Sequence, residues 1–170
     1  MSDAEVTVRI ASSVGAFDAG EWNALGGHDN PFVSHEFLTA MEDSDSVGPG
    51  TGWEPAPIAI TDEAGRLLAA LPSYAKGRSQ GEYVFDHSWA DAWHRAGGRY
   101  YPKLQIAAPF TPATGPRLLL SDPNLAPHLL KGAEAVCVQN KLSSAHATFI
   151  APEQLGLFEA GGWMPRADIQ

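Results

Sequence analysis

A β-hairpin near the middle of the chain constrains the fold more than any other feature. Apolar and β-branched residues fill Pro57–Thr61 and Arg66–Ala75, and the four residues Asp62-Glu63-Ala64-Gly65 between them have the composition of a tight turn. Two strands joined in this way pair antiparallel and bury one face only if other elements cover it. The rest of the chain must therefore supply helices and further strands around this hairpin.

The residues before the hairpin predict one strand and two helices. Val6–Ile10 alternates and is rich in β-branched residues, which indicates a first strand. Asp18 is a candidate N-cap for a short helix that Gly26-Gly27 ends. Ser34 caps a second helix, which ends near Ser44.

The residues after the hairpin predict the order β-α-β-α-β, preceded by a segment rich in aromatic residues at 76–103. The elements are a strand at 104–108, a long helix capped by Asn124 or Asp122, a strand at 145–150, a helix from Pro152 to Gly161-Gly162, and a strand that begins at Trp163. The whole order predicts an α/β protein of the α+β type, with a mixed, mostly antiparallel central sheet flanked by helices. The chain ends inside a predicted strand, so we expect residues 1–170 to be a single domain of a longer protein.

Composition restricts the environment of the protein. Hydrophobic residues make up 44% of the chain and charged residues 18%, as in a folded globular domain. The apolar runs fall far short of the roughly 20 residues that span a bilayer, so we expect no membrane insertion. The acidic N-terminus lacks the features of a secretory signal, which predicts a cytoplasmic protein. The single Cys137 excludes an internal disulfide, and we expect no metal site.

The charge is distributed unevenly along the chain. The net charge is −9, yet residues 66–117 hold seven basic and three acidic residues, whereas residues 1–65 hold twelve acidic residues and only Arg9. A basic segment in an acidic chain can bind an anionic ligand such as a phosphate or a carboxylate. The alternative is that these cations are spread over a solvated surface. The acidic total argues against DNA binding.

Several stretches of sequence carry a resemblance to a known family. They occur in one order, as Trp22-Asn23-Ala24-Leu25, Asn30-Pro31-Phe32-Val33-Ser34-His35-Glu36-Phe37-Leu38, Gly81-Glu82-Tyr83-Val84-Phe85-Asp86-His87-Ser88-Trp89-Ala90-Asp91, Tyr100-Tyr101-Pro102-Lys103-Leu104 and Pro109-Phe110-Thr111-Pro112. Together they resemble a bacterial peptidoglycan biosynthesis/recognition family, which is similar to the Fem-type aminoacyl transferases. The helix, glycine and aromatic residue at 154–163 also resemble the ending of the acyl-CoA N-acyltransferase (GNAT) fold.

The resemblance implies a GNAT-like fold and a function in acyl transfer. Members of the family pair two GNAT-like units, so residues 1–170 are expected to be the N-terminal half, with a second unit as a partner. Fem-type enzymes transfer an aminoacyl group from tRNA to an amine of a peptidoglycan precursor, which implies a precursor or other small-molecule substrate here, with tRNA as a further partner. Two alternatives stay open: acetyl-CoA-dependent acetylation of a small amine, and recognition without catalysis. The loop at 111–117 lacks the Gly-rich phosphate turn of coenzyme A-dependent members, because Pro112 and Pro116 offer no N–H.

The segment 83–103 holds most of the side chains that acyl transfer to an amine would need. His87 and Asp91 lie four residues apart, so on a helix they share a face, and a carboxylate beside an imidazole raises its basicity. A tyrosine can protonate a leaving group, and cations can bind a phosphate or carboxylate. The alternative is that the rings pack into the core and that His87 is structural. The predicted catalytic residues are His87, Asp91 and Tyr101, and the predicted substrate-binding residues are Trp89, Arg99, Lys103 and Arg117. We expect the segment to fold over the mouth of a split sheet and form a positively charged hollow with aromatic walls.

Overall fold

The computed structural model describes residues 7–27, 29–79 and 86–167. The strands are β1 (Thr7–Ile10), β2 (Trp53–Pro55), β3 (Ile58–Thr61), β4 (Leu67–Leu71), β5 (Ser73–Lys76), β6 (Lys103–Ile106), β7 (Leu119–Leu120) and β8 (Ala145–Ala147). The α-helices are α1 (Ala19–Trp22), α2 (His35–Asp43), α3 (His87–Arg95), α4 (Ala126–Gln139) and α5 (Leu155–Ala160).

The strands form two four-stranded sheets. Their orders are β1-β3-β4-β7 and β2-β5-β6-β8. Neighbouring strands are antiparallel except β6 and β8, which are parallel. The predicted α+β architecture, with mostly antiparallel strands flanked by helices in a GNAT-like arrangement, is confirmed.

Prolines divide the predicted hairpin between the two sheets. The turn forms as predicted, with Gly65 at a φ of 83°. The predicted strand Arg66–Ala75 is broken at Pro72 into β4 and β5, and Ala56 and Pro57 separate β2 from β3 on the opposite arm. Proline has no N–H to donate to a neighbouring strand, so a ladder cannot run through it unchanged. The part of the hairpin next to the turn, β3 and β4, therefore joins the first sheet. The part farther from the turn, β2 and β5, joins the second sheet.

The helix boundaries follow the predicted capping residues. Asp18 Oδ1 accepts from the amide of Glu21 at 2.9 Å, and Ser34 Oγ accepts from the amide of Phe37 at 3.2 Å. Of the two candidates before α4, Asp122 is the cap, at the start of a 3₁₀ turn that leads into the helix. These ends depend on side chains adjacent in sequence, and they form where the local pattern predicts them.

Apolar residues cover the first sheet on both faces. Ile58 and Ile60 on β3 enter a buried cluster with α4, which also packs on the second sheet. Ala59, between them, faces the opposite cluster, where Trp22 and Leu38 of the N-terminal helices are fully buried. This alternation is the period-two pattern of a strand covered by helices on both sides.

The last predicted strand is wrong for the residues that the structure describes after α5. Residues 163–167 form no strand, and residues 168–170 lie outside the described part of the chain. The Trp163 ring packs edge-on against Phe158 with centroids 5.5 Å apart, and its Nε1 donates to Glu134 at 3.2 Å. These contacts direct the segment onto the helices. Val6, and Tyr83 of the predicted hollow, also lie outside the described residues.

Candidate functional site

Two lysines stand directly opposite each other on neighbouring strands. Lys76, the last residue of β5, is the cross-strand partner of Lys103, the first residue of β6. Their exposed fractions are only 2% and 1%. Like charges in opposed positions repel, and burial removes much of the water that would screen them. An anion beside this pair is therefore needed to stabilise it.

Asp86, immediately before α3, supplies an anion. Its Oδ2 atom accepts from Lys76 Nζ at 3.0 Å, from Lys103 Nζ at 2.7 Å and from the Tyr101 hydroxyl at 3.3 Å. Burial raises the pKa of the Asp86 carboxyl, but the ammonium groups of Lys103 and Lys76 outweigh this effect and hold the pKa below its usual value. Asp86 is thus ionised at neutral pH and bridges the two lysines.

His146 on β8 joins this cluster through Lys103. Lys103 Nζ lies 3.4 Å from Nδ1 of His146 and donates to the Tyr100 hydroxyl at 3.2 Å. An ammonium group can only donate, so Nδ1 is the acceptor, and a neutral ring must carry its proton on Nε2. Nε2 then donates to Ser144 Oγ, 2.9 Å away. The three hydrogens of Lys103 thus have acceptors on Asp86, Tyr100 and His146.

The surroundings of His146 keep its imidazole neutral. Burial lowers the pKa, Lys103 lowers it further, Asp86 opposes these effects, and Lys76 adds to the lowering. The resulting pKa is about 4, compared with an ordinary value of 6.5. The ring can therefore accept a hydrogen bond from Lys103 throughout the neutral pH range.

The lowered pKa of His146 should be measurable as a lowered midpoint of its titration. By NMR, its ring resonances in the folded protein should stay at their neutral positions until the pH approaches about 4. The unfolded chain takes up the same proton near pH 6.5, so stability should fall as the pH is lowered from 6.5 to about 4. His146→Gln should remove this part of the pH dependence of the free energy of unfolding. A folded-state midpoint near 6.5 would contradict the proposed environment.

An open cleft lies beside the cluster. The polar residues of its lining are Lys76, Asp86, Gln105, Thr111 and Thr148. The Gln105 amide donates to the Thr148 hydroxyl at 3.2 Å, which links β6 to the segment after β8. The lining of the cleft thus contains both charged and neutral hydrogen-bonding groups.

Aromatic rings also line the cleft. Trp53, Phe110 and Phe149 line it, and the centroids of Trp53 and Phe110 are 5.2 Å apart. Phe110 and Phe149 have φ angles of 56° and 53°. A left-handed backbone is unfavourable for a bulky side chain, and residues held in it cluster at ligand sites. Two such residues on one cleft make it the candidate binding site.

The structure brings two of the seven predicted site residues into the cluster. Tyr101 and Lys103 both contact Asp86. His87, Trp89 and Asp91 are exposed on α3, and 60% of the Trp89 surface is accessible. The helix that carries these three residues begins directly after Asp86. Their roles in catalysis or binding stay predictions.

The two predicted arginines have different surroundings. Arg99 is exposed and donates to the main-chain oxygen of Lys141 at 2.9 Å. Arg117 is fully buried and donates to the main-chain oxygens of Thr148 at 2.8 Å and Ala113 at 2.7 Å. Burial lowers the pKa of Arg117 to about 10, so it stays charged at neutral pH. Arg117 ties the loop before β7 to the segment after β8, and its predicted role in substrate binding stays a prediction.

Most residues of the cluster and cleft were not among the predicted site residues, and Lys76, Gln105 and His146 are examples. His146 is the single polar residue of β8 and Lys76 is the last residue of β5, and no local motif marks either. Gln105 carried a usable signal, because polar and apolar residues alternate in Lys103-Leu104-Gln105-Ile106. In a strand this spacing places Lys103 and Gln105 on one face.

The fold and the cleft define a GNAT-like α+β domain with an open cleft that is lined by both polar and aromatic residues. A family model described as peptidoglycan biosynthesis/recognition, FemAB-like, matches residues 13–170, and the chain belongs to this family. Its function therefore lies in peptidoglycan biosynthesis or recognition. No curated protein and no solved structure matches the chain. Across the three described ranges, no helix has the length and apolar character needed to cross a bilayer.

Proposed function

We propose that this domain binds the amine-bearing, anionic precursor in an N-acyl or aminoacyl transfer reaction of peptidoglycan biosynthesis. The observation that carries the proposal is the convergence of Phe110 and Phe149, both with left-handed backbones, and the Lys76–Asp86–Lys103 cluster on one cleft. In such a reaction the amine nitrogen attacks the acyl carbonyl carbon, and a C–N bond forms as the C–O or C–S bond of the ester or thioester breaks. The amine loses a proton, and the departing oxygen or sulfur takes one up, so that an alcohol or a thiol is released.

The side chains of the cleft suit a peptide-like ligand. Gln105, Thr111 and Thr148 offer neutral donors and acceptors for amide groups, while Trp53 and Phe110 can cover aliphatic parts. Pockets that pair an apolar wall with a few fixed polar groups orient their ligands by those groups. The segment 66–117 has a surplus of basic residues in sequence, and one of them, Lys76, lines the cleft with Lys103 next to it, which favours an anionic ligand.

The acyl donor in this proposal is bound by a second GNAT-like unit of a longer protein, with aminoacyl-tRNA as the donor. The loop at 111–117 supports this division. Pro112 and Pro116 have no N–H, and the amide of Gly115 already donates to Phe149 O at 3.0 Å. Arg117 donates within the loop to Ala113 O. Few groups are left in this loop to bind a pyrophosphate.

Acetyl-CoA-dependent acetylation of a small amine is the second candidate, because the GNAT-like fold supports it. A thiol-release assay with mixed amines detects that activity. Recognition without catalysis is the third candidate, and the family description includes it. The third reading gains support if His87→Ala, Tyr101→Phe and Lys103→Ala each leave transfer activity intact in a longer protein that contains this domain.

Isothermal titration calorimetry tests the proposal with a nucleotide-linked muramyl peptide and, separately, acetyl-CoA. We expect the chain to bind the muramyl peptide, and Phe149→Gly to weaken this binding about tenfold or more because an apolar wall is lost. The same substitution relieves the left-handed backbone, which offsets part of the lost packing and limits the change in the free energy of unfolding.

Phe32→Ala is the matched control, because it removes an exposed ring that does not line the cleft. Its affinity for the muramyl peptide should equal that of the wild type. Binding of acetyl-CoA without binding of the muramyl peptide would reverse the assignment in favour of the second candidate.

A further inference from the structure

We infer that Oδ1 of Asp86 is the atom that receives an N–H of the substrate amine in the cleft. The inference rests on the proposed function. It means that a single carboxylate oxygen, Oδ1 of Asp86, orients the bound precursor.

The two oxygens of Asp86 have different surroundings. Oδ2 accepts from Lys76, Lys103 and Tyr101. Oδ1 accepts no hydrogen bond from any residue in the described parts of the chain. Within those parts, the Tyr74 hydroxyl is the only side-chain polar atom that is both buried and without a hydrogen-bond partner. Oδ1 of Asp86 also accepts no hydrogen bond there, so it is not fully buried and must be in contact with solvent. Asp86 lines the cleft, and its side chain is 20% exposed.

The cluster holds the carboxylate in one orientation. Rotation of the group would break the three hydrogen bonds to Oδ2, two of which come from buried ammonium groups. The carbonyl of Asp86 also accepts from the amide of Ala90 at 2.8 Å, which fixes the main chain at the start of α3. Tyr100 and His146 hold Lys103 from the other side. They are therefore positioning residues, which act on the ligand through Lys103 and Asp86.

An ionised carboxylate oxygen that is accessible from a cleft binds an N–H donor. It can only accept, and hydrogen bonds to a charged acceptor are about twice as strong as neutral ones. An amine whose N–H points at Oδ1 has its lone pair directed away from the carboxylate. Once the bound ammonium group has lost a proton to solvent, that orientation leaves the nitrogen lone pair available to attack an acyl carbon.

Asp86→Asn tests the inference, because it exchanges the acceptor in the cleft for a donor. Lys76, Lys103 and Tyr101 all donate, so the side-chain amide oxygen of this variant takes the place of Oδ2. The NH₂ group of the new side chain then faces the cleft, where it opposes an N–H of the ligand. Asp43→Asn is the matched control, since it makes the same chemical change at an exposed position at the end of α2.

The probes are a nucleotide-linked muramyl peptide that contains lysine and the same peptide with norleucine in place of that lysine. We expect the wild type and Asp43→Asn to bind the lysine peptide about tenfold or more tightly than the norleucine peptide. Asp86→Asn is expected to bind the two with equal affinity. Circular dichroism establishes whether Asp86→Asn is folded. The comparison of the lysine and norleucine peptides on the wild-type protein does not depend on any variant.

Two results would overturn the inference while the proposed function stands. One is equal affinity of the wild type for the two peptides, and the other is an undiminished preference for lysine in folded Asp86→Asn. Failure of the wild type to bind either peptide would instead overturn the proposed function, together with the inference that rests on it.

Discussion

Replacing Arg117 with alanine is expected to lower the free energy of unfolding by about 3 to 5 kcal/mol. The side chain is fully buried, and its guanidinium donates to Thr148 O and Ala113 O. Alanine leaves these main-chain oxygens without donors and leaves a cavity where the long side chain lay. Urea denaturation followed by circular dichroism measures the change.

Two further substitutions show whether the loss of stability comes from the buried guanidinium of Arg117. Arg99→Ala removes an exposed arginine and should change the free energy of unfolding by less than about 0.5 kcal/mol. Arg117→Lys keeps the charge without the planar, multiply donating group, so it should restore only part of the loss. If Arg117→Ala is as stable as the wild type but loses affinity for the muramyl peptide, the structural role is wrong and the predicted role in substrate binding holds.

Asp86→Ala is expected to lower the free energy of unfolding by about 3 kcal/mol. The substitution removes the carboxylate that Lys76 and Lys103 share, while both ammonium groups remain nearly buried and opposed across two strands. Removal of one partner from a buried ion pair is more destabilising than loss of an exposed pair, because the buried charges that remain lose a nearby opposite charge. Asp43→Ala, at an exposed site, should change the value by less than about 0.5 kcal/mol.

The effect of Asp86→Ala should depend on pH. The folded-state pKa of Asp86 lies below its ordinary value, so its stabilising contribution is present above the unfolded pKa of about 3.9 and is lost as the pH falls through the folded value. The wild type should therefore approach the stability of the variant in strong acid. A difference between the two proteins that is the same at pH 7 and pH 2 would contradict the ion-pair explanation.

Part of the candidate site could be predicted from the sequence. Tyr101 and Lys103 stand in a segment rich in rings and cations, and both contact Asp86. Their partners could not be predicted in the same way. Lys76 and His146 are far from this segment in sequence, and they reach it because β5 and β8 pair with β6 on its two sides. Strand order of this kind depends on contacts between distant residues, which a local pattern does not report.

The sequence by itself determined where several helices and the hairpin turn lie, as well as the family. Asp18, Ser34 and Asp122 cap the turns that follow them, and Gly65 closes the hairpin turn, because these effects involve only neighbouring residues. Only the tertiary structure decided which side chains form the site and which ionisation states they hold. A buried lysine pair, an ionised aspartate and a neutral histidine depend on lost solvation and on charges brought close in space, and both arise only when the sheets and helices pack.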